Sequence, residues 1–399
     1  MNPPHRVYIQ QNCIAHYRRA IFEALSASQR YDFVVITDAK PDTPFLKLAD
    51  LSLGTVHHRF ARNYIFSLPL IETLFWQPGA VWAAFYDQPS AIIALGNPYS
   101  LTAWGLLLVG RLKSIPVLLW GHGLRKEETG PKWWVRRLLY RLAAGHLLYG
   151  EYAKTLLMAK GFPAERLHVV YNSLDYVGQV IIDRSITDQH RVAFRDSLGV
   201  RADHGLVAFT GRLQPVKRLD LLLEAIRILG TRGRVVHAVV VGKGAQQPDL
   251  EKLCRTFGIQ DRIHFLGESY DDQFLGLVLG SSDLCVIPSG AGLSIMHALA
   301  FGTPVVLHDR TAEHFPEWEA VKDGITGFYY RYGDTEDLSM QIERAIFPRP
   351  KKADLSQACR EAIAGLYNPH IQVKLIEDAV TASLTFGRRT ENASELRPR

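Results

Sequence analysis

The chain has 399 residues, of which 47% are hydrophobic and 22% are charged. This composition excludes a disordered chain, and the length fits about two globular domains. The net charge of +6 is typical of a protein that handles phosphates or works near an anionic surface. The lysines and arginines are dispersed and no aromatic-basic recognition motif is present, so the sequence argues against a nucleic-acid partner.

The cysteines and the apolar runs indicate a cellular compartment. The four cysteines form no CxxC pair, which predicts free, mostly buried thiols in a reducing compartment: Cys13, Cys254, Cys285 and Cys359. The start "MNPPHRVYIQQN" has too short an apolar run for a signal peptide. The longest apolar stretch, near "SLTAWGLLLVG", is shorter than the roughly 20 residues that span a bilayer. We therefore expect a soluble, cytoplasmic protein.

The first half alternates strand-like and helix-like segments. The predicted strands are Val7–Gln10, Phe33–Thr37, Ala80–Phe85, Ala91–Gly96, Val117–Trp120, His146–Tyr149 and His168–Tyr171. The predicted helices are Arg18–Ser26, Leu101–Leu112, Trp133–Ala144 and Ala153–Lys160. This alternation predicts an α/β domain, a doubly wound parallel sheet with helices on both faces.

After Asn172 the polar stretch "NSLDYVGQVIIDRSITDQHR" shows no clear periodicity and is interpreted as an inter-domain connection. Alternation then resumes and predicts a second doubly wound domain. Its strands are Leu206–Thr210, Val235–Val241, Ile263–Leu266, Asp283–Ile287 and Pro304–Leu307, with helices over Val216–Leu229 and Leu250–Phe257. A helical pattern over Leu355–Leu384 and a polar end follow.

These patterns define a domain map. Residues 1–175 are predicted to form an N-terminal Rossmann-like domain, 176–200 a linker, and 201–350 a C-terminal Rossmann-like domain. Residues 351–385 form C-terminal helices that return to the N-terminal domain, and 386–399 form a polar, frayed tail. Two open α/β sheets have crevices at the carboxyl ends of their strands, so we expect the site in a cleft between the domains.

The stretch "LVAFTGRLQPVKRLDLLLEAI" carries two cations at the end of a predicted strand. Gly211 allows a tight turn, and Arg212 and Lys217 point from the strand end and the helix start into the crevice. Two fixed cations there suit a diphosphate, above all one that gains charge as it departs. The alternative is a surface arginine and a solvated lysine beside an ordinary turn.

Five segments of the second half occur in the order seen in family 4 glycosyltransferases: "FTGRLQPVKRLDLLLEA", "VVVGKG", "IHFLGESYDD", "DLCVIPSGAGLSIMHALAFGTPVV" and "FPEWEAVKDGITGFYY". The first half resembles that family through "HYRRAIFEAL", "WGHG" and "VVYNSLD". The resemblance implies a GT-B fold, which is two Rossmann-like domains facing each other across a cleft that holds a nucleotide-sugar. It also implies transfer with retention of anomeric configuration, no catalytic metal and no cofactor besides the nucleoside diphosphate sugar substrate.

The resemblance also implies roles for single residues. Arg212 and Lys217 match the pair that grips the donor diphosphate, and His122 matches a first-domain histidine that faces the donor sugar. The donor-binding backbone positions it implies are Gly211, Gly242, Gly244, Gly292, Leu293 and Ser294, the last three at a helix N-terminus where amides and the dipole favour anions. An ordinary turn explains Gly242 and Gly244 equally well, and a core or turn histidine is the alternative for His122.

Two positions depart from the family pattern. The family places one glutamate just before this turn and another after seven intervening residues, where this chain has Ser289 and His297. Ser289 adds no negative charge to a developing oxocarbenium ion, and His297 can hydrogen-bond a ribose hydroxyl through a ring nitrogen. The resemblance therefore implies diphosphate binding, whereas details of sugar binding do not carry over.

Other acids have competing interpretations. Glu313 and Glu317 in "TAEHFPEWEA" could reach the cleft, Glu317 matching a glutamate of the family's "PE" turn, or could serve capping or surface roles. Asp271 and Asp272 in "YDDQ" open a helical pattern, which favours helix caps over a metal site. The histidines form no H-E-x-x-H or Cys-His array, so no zinc site is predicted.

The first domain is expected to hold the acceptor. His16 and Arg18 could meet an acceptor or the donor phosphate, or could be capping or surface residues. The segment "GPKWWVRRLLYRLAAG" places Trp133 and Trp134 beside basic residues, namely Lys132, Arg136, Arg137 and Arg141. It could rest on anionic lipid head groups as a peripheral contact at the inner membrane face, or pack Leu138, Leu139 and Leu142 on the sheet.

The function expected from these features is that of a retaining, metal-independent glycosyltransferase. It would move a sugar from a nucleoside diphosphate sugar to a hydroxyl of a glycan or lipid-linked acceptor, in cell-surface polysaccharide or glycoconjugate synthesis. A non-catalytic nucleotide-sugar-binding or scaffold subunit of a polysaccharide assembly complex is the alternative, motivated by the two replaced glutamates. An epimerase on the same fold ranks last, since its acid-base carboxylates cannot be located.

Overall fold

The structure is a computed structural model that describes residues 5–40, 47–52, 54–67, 73–347 and 352–395. The chain divides into two compact units. Unit 1 comprises Met1–Asp175 together with Asn368–Arg399, and unit 2 comprises Tyr176–Tyr367.

Unit 1 is built on a parallel sheet. Its strands are β1 (His5–Gln10), β2 (Tyr31–Thr37), β3 (His58–Phe60), β6 (Ala91–Leu95), β7 (Val117–Gly121), β8 (Gly145–Leu148) and β9 (Leu167–Val169), and a separate antiparallel pair is β4 (Tyr64–Phe66) and β5 (Leu74–Trp76). The sheet order is β3-β2-β1-β6-β7-β8-β9, with every pair parallel. Its helices are α1 (Arg19–Ser26), α2 (Pro78–Asp87), α3 (Leu101–Lys113), α4 (Gly130–Leu142), α5 (Glu151–Ala159) and α14 (Pro369–Glu395).

Unit 2 repeats the same architecture. Its strands are β10 (Gly205–Thr210), β11 (Val236–Val241), β12 (Ile263–Gly267), β13 (Leu284–Val286), β14 (Val305–His308) and β15 (Gly327–Tyr330), in the parallel order β12-β11-β10-β13-β14-β15. Its helices are α6 (Tyr176–Ser185), α7 (Asp188–Ser197), α8 (Leu219–Thr231), α9 (Gln247–Phe257), α10 (Asp272–Ser281), α11 (Leu293–Ala300), α12 (Thr335–Ile346) and α13 (Lys352–Gly365). The predicted α/β fold of two doubly wound Rossmann-like units is therefore confirmed.

Helix α8 shows why these segments fold as they do. Leucine and isoleucine recur at helical spacing along it, and Leu219, Leu222, Ile226 and Leu229 are fully buried in the core of unit 2. Full burial of such a side chain stabilises the fold by about 1.5–3 kcal/mol. This anchored helix begins two residues after Lys217 and so fixes the position of that lysine.

The predicted strand over Ala80–Phe85 is wrong, because these residues lie in α2. Val81, Trp82 and Phe85 gave the segment its strand character, but Pro78 occupies the first turn of the helix, where its missing N–H is tolerated. Ala80 and Ala84 lie four residues apart and are both fully buried, so the buried face has the helical period.

The segment predicted as a linker over residues 176–200 is also folded. Helices α6 and α7 occupy it and belong to unit 2, where both pack against α10. Thr187 begins α7 with a reciprocal capping box in which His190 takes the place of the usual acid, a signal that the sequence interpretation missed. At the chain end, α14 continues to Glu395 where a frayed tail was expected, and residues 396–399 of that tail lie outside the described residues.

Three histidines line the edge of the unit 2 sheet at which the strands begin. His237 contacts His204 and His264 through N···N distances of 3.2 Å each, and successive rings are inclined by only 19° and 6°. Each contact needs one N–H and one bare nitrogen, a pairing that neutral imidazoles supply along the whole row of three rings. Burial lowers the pKa of all three, that of His237 to about 4.

The cysteine prediction agrees with the structure. All four cysteines are free thiols, and Cys254, Cys285 and Cys359 are buried. Burial raises the pKa of each of these three thiols, that of Cys254 to about 11. They are therefore protonated and unreactive at neutral pH.

Candidate functional site

The strand order of unit 2 reverses direction between β10 and β13, which lie side by side in the sheet. In open α/β sheets a crevice forms at the carboxyl ends of the strands at this switch point. The loop after β10 carries Arg212 and Lys217, and the turn after β13 carries Ser289–Gly292. The fold therefore brings together two segments that lie about seventy residues apart in the chain.

Lys217 joins the two segments directly. Its ammonium Nζ donates a hydrogen bond to the carbonyl oxygen of Gly290 over 2.5 Å. Burial, and secondly the positive charge of Arg212, lower the pKa of Lys217. Two cations placed close enough to repel each other gain stability when an anion binds near them.

Arg212 is the exposed member of this pair. Within the described part of the chain it has no hydrogen-bond or ion-pair partner, so its guanidinium is available to a ligand. Arg218, by contrast, has a side-chain partner, because its guanidinium makes a bidentate contact with Asp220 at 2.9–3.1 Å. The backbone of Arg218 is left-handed, with a φ of 51°. That backbone ends the short 3-10 turn Pro215–Lys217 before α8 begins, which is why the predicted helix start at Val216 is three residues early.

Three glycines let the loops after β10 and β11 lie in backbone contact. A Cβ atom on Gly242 would lie 1.8 Å from the carbonyl oxygen of Gly211, and one on Gly244 would lie 2.1 Å from that of Leu213. The Leu213 amide donates to the Lys243 carbonyl over 3.1 Å, which holds the loops together. Glycine is required at 242 and 244 by this close approach, in addition to any space that a nucleotide would need.

The turn after β13 is held by hydrogen bonds from four directions. The Tyr330 hydroxyl donates to the Pro288 carbonyl over 2.7 Å, and Lys217 donates to the Gly290 carbonyl. The Ala291 amide donates to Nδ1 of His314 over 3.2 Å, while the Ala291 carbonyl accepts from the Phe315 amide over 2.8 Å. None of these partners except Lys217 was singled out from the sequence.

Helix α11 begins immediately after this turn, with Gly292 as its N-cap residue. The amides of Leu293 and Ser294 lie in the first helical turn, where no earlier helical carbonyl can accept from them. A Cβ atom on Gly292 would lie 3.3 Å from the Phe315 ring, so the cap position is tight. Ser289, at the predicted donor-binding position, is only 6% exposed.

His297 lies one turn further along α11 and meets a residue from the misassigned linker. Gln179 of α6 is 4% exposed, and its side-chain amide nitrogen lies 3.2 Å from Nδ1 of His297. An amide nitrogen only donates, so Nδ1 accepts and the ring proton lies on Nε2. The predicted ribose ligand is thus a histidine whose donor nitrogen is fixed by Gln179, a residue with no signal in the sequence.

In unit 1, His122 follows β7, next to Gly121 at the carboxyl end of the strand. Its ring centroid lies 5.0 Å from that of Tyr149, which follows β8. Desolvation by the surrounding protein, and then the positive charges of Arg125 and Arg18, lower the pKa of His122 to about 4. His122 is therefore neutral at pH 7 and lies within electrostatic range of Arg18.

Arg18 is held at the same edge by packing and one hydrogen bond. Its guanidinium lies 4.7 Å from the Trp120 ring centroid and 5.0 Å from that of Phe22, and it donates to the Gln11 side chain over 2.8 Å. These contacts make Arg18 a fixed cation and rule out the solvated surface role. His16 instead has its Nδ1 3.2 Å from the Lys47 carbonyl, which ties it to a neighbouring loop.

The acidic residues singled out from the sequence differ in burial and in contacts. Glu317 is 3% exposed, which excludes a surface role, whereas Glu313 is exposed and lies 3.7 Å from Arg310. Asp271 caps α10 by accepting from the Gln273 amide over 2.9 Å, which confirms the capping interpretation. Over the described ranges, no group of three or more His, Cys, Asp or Glu side chains is arranged to hold a metal ion.

Helix α4 exposes a narrower surface than the sequence suggested. Trp133 is only 8% exposed and Arg136 pairs with Glu128 at 2.8 Å, so both face inward. Trp134 and Leu138 are 62% and 55% exposed, so the alternative in which the leucine face packs on the sheet does not hold for Leu138, whereas Leu139 is fully buried. In the portion of the chain that the structure describes, no helix is both long and apolar enough to cross a bilayer.

Two family models match the chain, one for each half. The model for Glycosyltransferase Family 4 matches residues 17–176, and the model for Glycosyl transferases group 1 matches residues 204–346. The chain belongs to the family 4 glycosyltransferases, as its motifs predicted.

Curated relatives extend this relationship over part of their length. An alpha-D-kanosaminyltransferase from Streptomyces kanamyceticus is 26% identical over 254 residues, which is 60% of this chain and 63% of the relative. A D-inositol 3-phosphate glycosyltransferase from Mycolicibacterium smegmatis is 30% identical over 264 residues, which is 64% of this chain and 58% of the relative. The chain thus spans about three-fifths of the length of these relatives.

Solved structures share the fold over nearly the whole chain. Anabaena Alr3699/HepE in complex with UDP has a TM-score of 0.72 at 19% identity and covers 95% of this chain and 100% of its own. The apo lipopolysaccharide outer core galactosyltransferase WaaB has a TM-score of 0.65 at 14% identity, covering 94% and 99%. At these identities the likeness establishes the GT-B fold.

Proposed function

We propose that this protein is a retaining glycosyltransferase that moves a sugar from a nucleoside diphosphate sugar to a hydroxyl of a glycan or glycolipid acceptor. One observation carries the proposal. At the switch point of unit 2, Arg212, Lys217 and the start of α11 converge on one crevice. We expect this reaction to serve cell-surface polysaccharide or glycoconjugate synthesis.

The crevice suits a diphosphate leaving group. Lys217 and Arg212 supply positive charge, and the Leu293 and Ser294 amides supply donors at the positive end of a helix dipole. Negative charge grows on the leaving phosphate as the bond to the sugar breaks. Fixed donors and cations stabilise that charge without reorganising, which lowers the barrier to transfer.

Retention follows from a front-face reaction. The bond from the anomeric carbon to the diphosphate oxygen breaks, and a bond to the acceptor oxygen forms on the same face. The acceptor hydroxyl proton passes to the leaving phosphate oxygen, so the reaction balances without a protein nucleophile. Ser289 is buried, and His297 accepts a hydrogen bond from Gln179. Neither side chain contributes negative charge next to the sugar.

His122 is proposed to position the sugar or an attacking hydroxyl. Its pKa of about 4 makes the ring neutral at pH 7, with one donor and one acceptor nitrogen. A neutral imidazole orients a hydroxyl through hydrogen bonds and is not a proton donor of consequence at that pH. Arg18, fixed at the same edge of unit 1, is proposed to bind anionic or hydroxyl groups of the substrates.

A panel of UDP-, GDP-, ADP- and TDP-sugars, scored for binding and nucleotide release, tests the function. UDP-sugars come first because Anabaena HepE structures hold UDP and UDP-glucose. Acceptors should include glycans, glycolipids and a phosphorylated polyol, because curated relatives act on D-inositol 3-phosphate by name. Absence of binding to every donor would overturn the proposal.

The alternative is a non-catalytic module that binds a nucleotide-sugar within an assembly complex. Ser289 and His297 motivate it, because the two positions lack the acids that the resemblance led us to expect. Tight donor binding without sugar transfer, with every acceptor class in the panel, would support the module. Nucleotide release that depends on both an acceptor and Arg212 would support the enzyme.

We further propose peripheral contact with an anionic membrane through α3 and α4 of unit 1. Trp134 and Leu138 are exposed on α4, and Leu108 and Leu112 are 62% and 67% exposed on α3. Between the ends of these helices lies a cavity of about 380 Å³ whose described lining residues include no carboxylate and three arginines, namely Arg111, Arg141 and Arg166. Apolar side chains beside clustered guanidinium groups suit acyl chains and lipid phosphates respectively.

Co-sedimentation with vesicles tests this contact. Binding to vesicles containing phosphatidylglycerol, but not to pure phosphatidylcholine vesicles, is expected, and free phosphate at equal concentration should compete only weakly. Trp134→Ala with Leu138→Ala should weaken vesicle binding about tenfold or more. Arg234→Ala, a surface arginine of unit 2, is the matched control. Equal binding to both vesicle types would overturn the proposal.

A further inference from the structure

His314 is a fully buried histidine that the sequence did not single out. It lies between two short 3-10 turns after β14, Thr311–Glu313 and Pro316–Ala320, and is 1% exposed. Its ring centroid is 4.0 Å from that of His308, which ends β14 and is also fully buried. Two buried imidazoles therefore pack together next to the turn that follows β13.

The hydrogen bonds of His314 determine its protonation. Its Nδ1 lies 3.2 Å from the Ala291 amide, which can only donate, so Nδ1 must accept. Its Nε2 lies 3.1 Å from the His308 carbonyl, which can only accept, so Nε2 carries the proton. Burial, followed by the neighbouring His308, lowers the pKa of His314 to about 4, which keeps this neutral tautomer at physiological pH.

The backbone of Ala291 is fixed by hydrogen bonds from residues outside the turn. It lies between Gly290 and Gly292, which have no side chains to anchor the backbone. The segment His314–Phe315 binds both polar groups of Ala291, since Phe315 donates to its carbonyl over 2.8 Å. The Gly290 carbonyl is bound by Lys217, so the same turn joins the proposed cation pair to the start of α11.

We propose that His314 is a positioning residue for the diphosphate turn: a neutral acceptor that holds the Ala291 amide so that the Leu293 and Ser294 amides face the diphosphate. Neutrality matters because a carboxylate could accept from Ala291 equally well but would place a negative charge beside the phosphates. A cationic imidazole would present an N–H to the Ala291 N–H and break the contact. This inference rests on the proposed function, since it requires an anion at the turn.

Three variants of the full chain separate hydrogen bonding from charge. His314→Asn keeps a neutral acceptor, His314→Asp keeps the acceptor but adds charge, and His314→Leu removes the acceptor. The probe is inorganic pyrophosphate, which needs no knowledge of the base or sugar, titrated by calorimetry. We expect His314→Asn to bind pyrophosphate within about threefold of the parent affinity. The His314→Leu and His314→Asp variants should each lose about tenfold or more in pyrophosphate affinity.

His308→Leu is the matched control. It replaces a second buried histidine in the same packing environment, whose side chain makes no hydrogen bond to the turn. Its pyrophosphate affinity should equal that of the parent protein, and its loss of thermal stability should resemble that of His314→Leu. A drop in pyrophosphate affinity as large as that of His314→Leu would show that general core disruption, not the Ala291 contact, is responsible.

Arg212→Ala separates failure of this inference from failure of the proposed function. If Arg212→Ala weakens pyrophosphate binding while all His314 variants bind like the parent, His314 has no positioning role. If neither the parent nor any variant binds pyrophosphate or a nucleoside diphosphate, the proposed function fails. Should the Leu and Asp variants not fold, a folded His314→Asn protein that fails to bind pyrophosphate would overturn the inference by itself.

Discussion

The two units use the same sheet architecture but build their candidate sites from different atoms. In unit 2 the crevice is lined mainly by backbone: glycines at 211, 242 and 244, the Gly290 carbonyl, and the first amides of α11, with two cations added. In unit 1 the corresponding edge is made of side chains, namely Gln11, Arg18, His122 and Tyr149.

This difference is informative about ligands. Backbone amides and fixed cations suit a chemical group that is the same in every nucleoside diphosphate sugar, the diphosphate. Side chains can be exchanged without rebuilding the fold, so they suit a partner that varies from one enzyme to another. We therefore expect changes in unit 2 to affect both the binding and the departure of the diphosphate, and changes in unit 1 to affect transfer without weakening diphosphate binding.

Removing either member of the cation pair, Arg212 or Lys217, is expected to have the largest effect on turnover. Arg212→Ala and Lys217→Ala should each lower turnover about 10²–10³-fold, because each removes charge that stabilises the leaving diphosphate. Sugar transfer measured with saturating donor checks this. Arg234→Ala, whose guanidinium pairs with Glu343 at 2.9 Å, should leave turnover unchanged. Parent-like turnover in both cation variants would remove the basis of the proposed mechanism.

The backbone contact in unit 2 predicts a strong effect on stability. Gly242→Ala should destabilise the protein by about 3 kcal/mol or more, because its Cβ would overlap the Gly211 carbonyl oxygen. Gly365→Ala is the control, as its Cβ would meet no atom of the described residues within 4 Å. Urea unfolding of both variants is the measurement. Equal midpoints would show that the two loops do not approach each other as described.

Unit 1 should affect transfer more than donor affinity. His122→Ala should lower the rate of sugar transfer about 10–100-fold while leaving pyrophosphate affinity unchanged, since the ring positions reacting groups. Because the pKa of His122 is about 4, kcat/KM should show no inflection from this group between pH 6 and 8. An inflection near pH 6.5 that disappears in His122→Ala would contradict the assignment of a neutral ring.

The histidine chain of unit 2 predicts a pH-dependent stability remote from the site. The pKa of His237 is about 4 in the folded protein and near its ordinary value of 6.5 when unfolded, so the unfolded state binds protons more strongly. Stability should be complete above pH 6.5 and fall as the pH decreases toward 4. At pH 5, His237 should account for about 1–2 kcal/mol of this loss.

Urea unfolding at pH 7.5 and pH 5 of the parent and His237→Asn measures that contribution. The decrease in the free energy of unfolding from pH 7.5 to pH 5 should be smaller in His237→Asn than in the parent. The variant should also be less stable than the parent at pH 7.5. His370→Asn is a suitable control because His370 is an exposed residue of α14. If His237→Asn loses as much stability as the parent, the histidine chain does not titrate as described.

The smallest expected effect concerns Gln179. Gln179→Leu should raise the KM for the donor about 3–10-fold with little change in kcat, because it frees the ring of His297 from its fixed tautomer. Gln179→Glu should do the same by requiring a proton on Nδ1. Gln189→Leu, an exposed glutamine of the neighbouring helix α7, is the control. A change in kcat alone would indicate that Gln179 acts on transfer and not on nucleotide binding.

Much of the fold could be predicted because hydrophobic periodicity is local. Strands such as β10 and β11 and helices such as α8 are read from residues within one segment. The errors arose where local signals conflict. Trp82 and Phe85 suggested a strand in what is a helix, and α7 begins with a capping box that uses a histidine. Short strands such as β3, β4 and β5 have too few residues for a periodic signal.

By itself the sequence determined the family, the two α/β units, and the residues whose chemistry depends on residue type, such as Arg212, Lys217 and the glycines of the loops. Only the tertiary structure decided which of them meet. The strand order places β13 beside β10, so Lys217 reaches Gly290, and it brings Gln179 to His297 and His314 to Ala291. The physical reason is that hydrogen bonds between distant segments depend on strand order and packing, whereas hydrophobic periodicity and turn chemistry report only on neighbours along the chain.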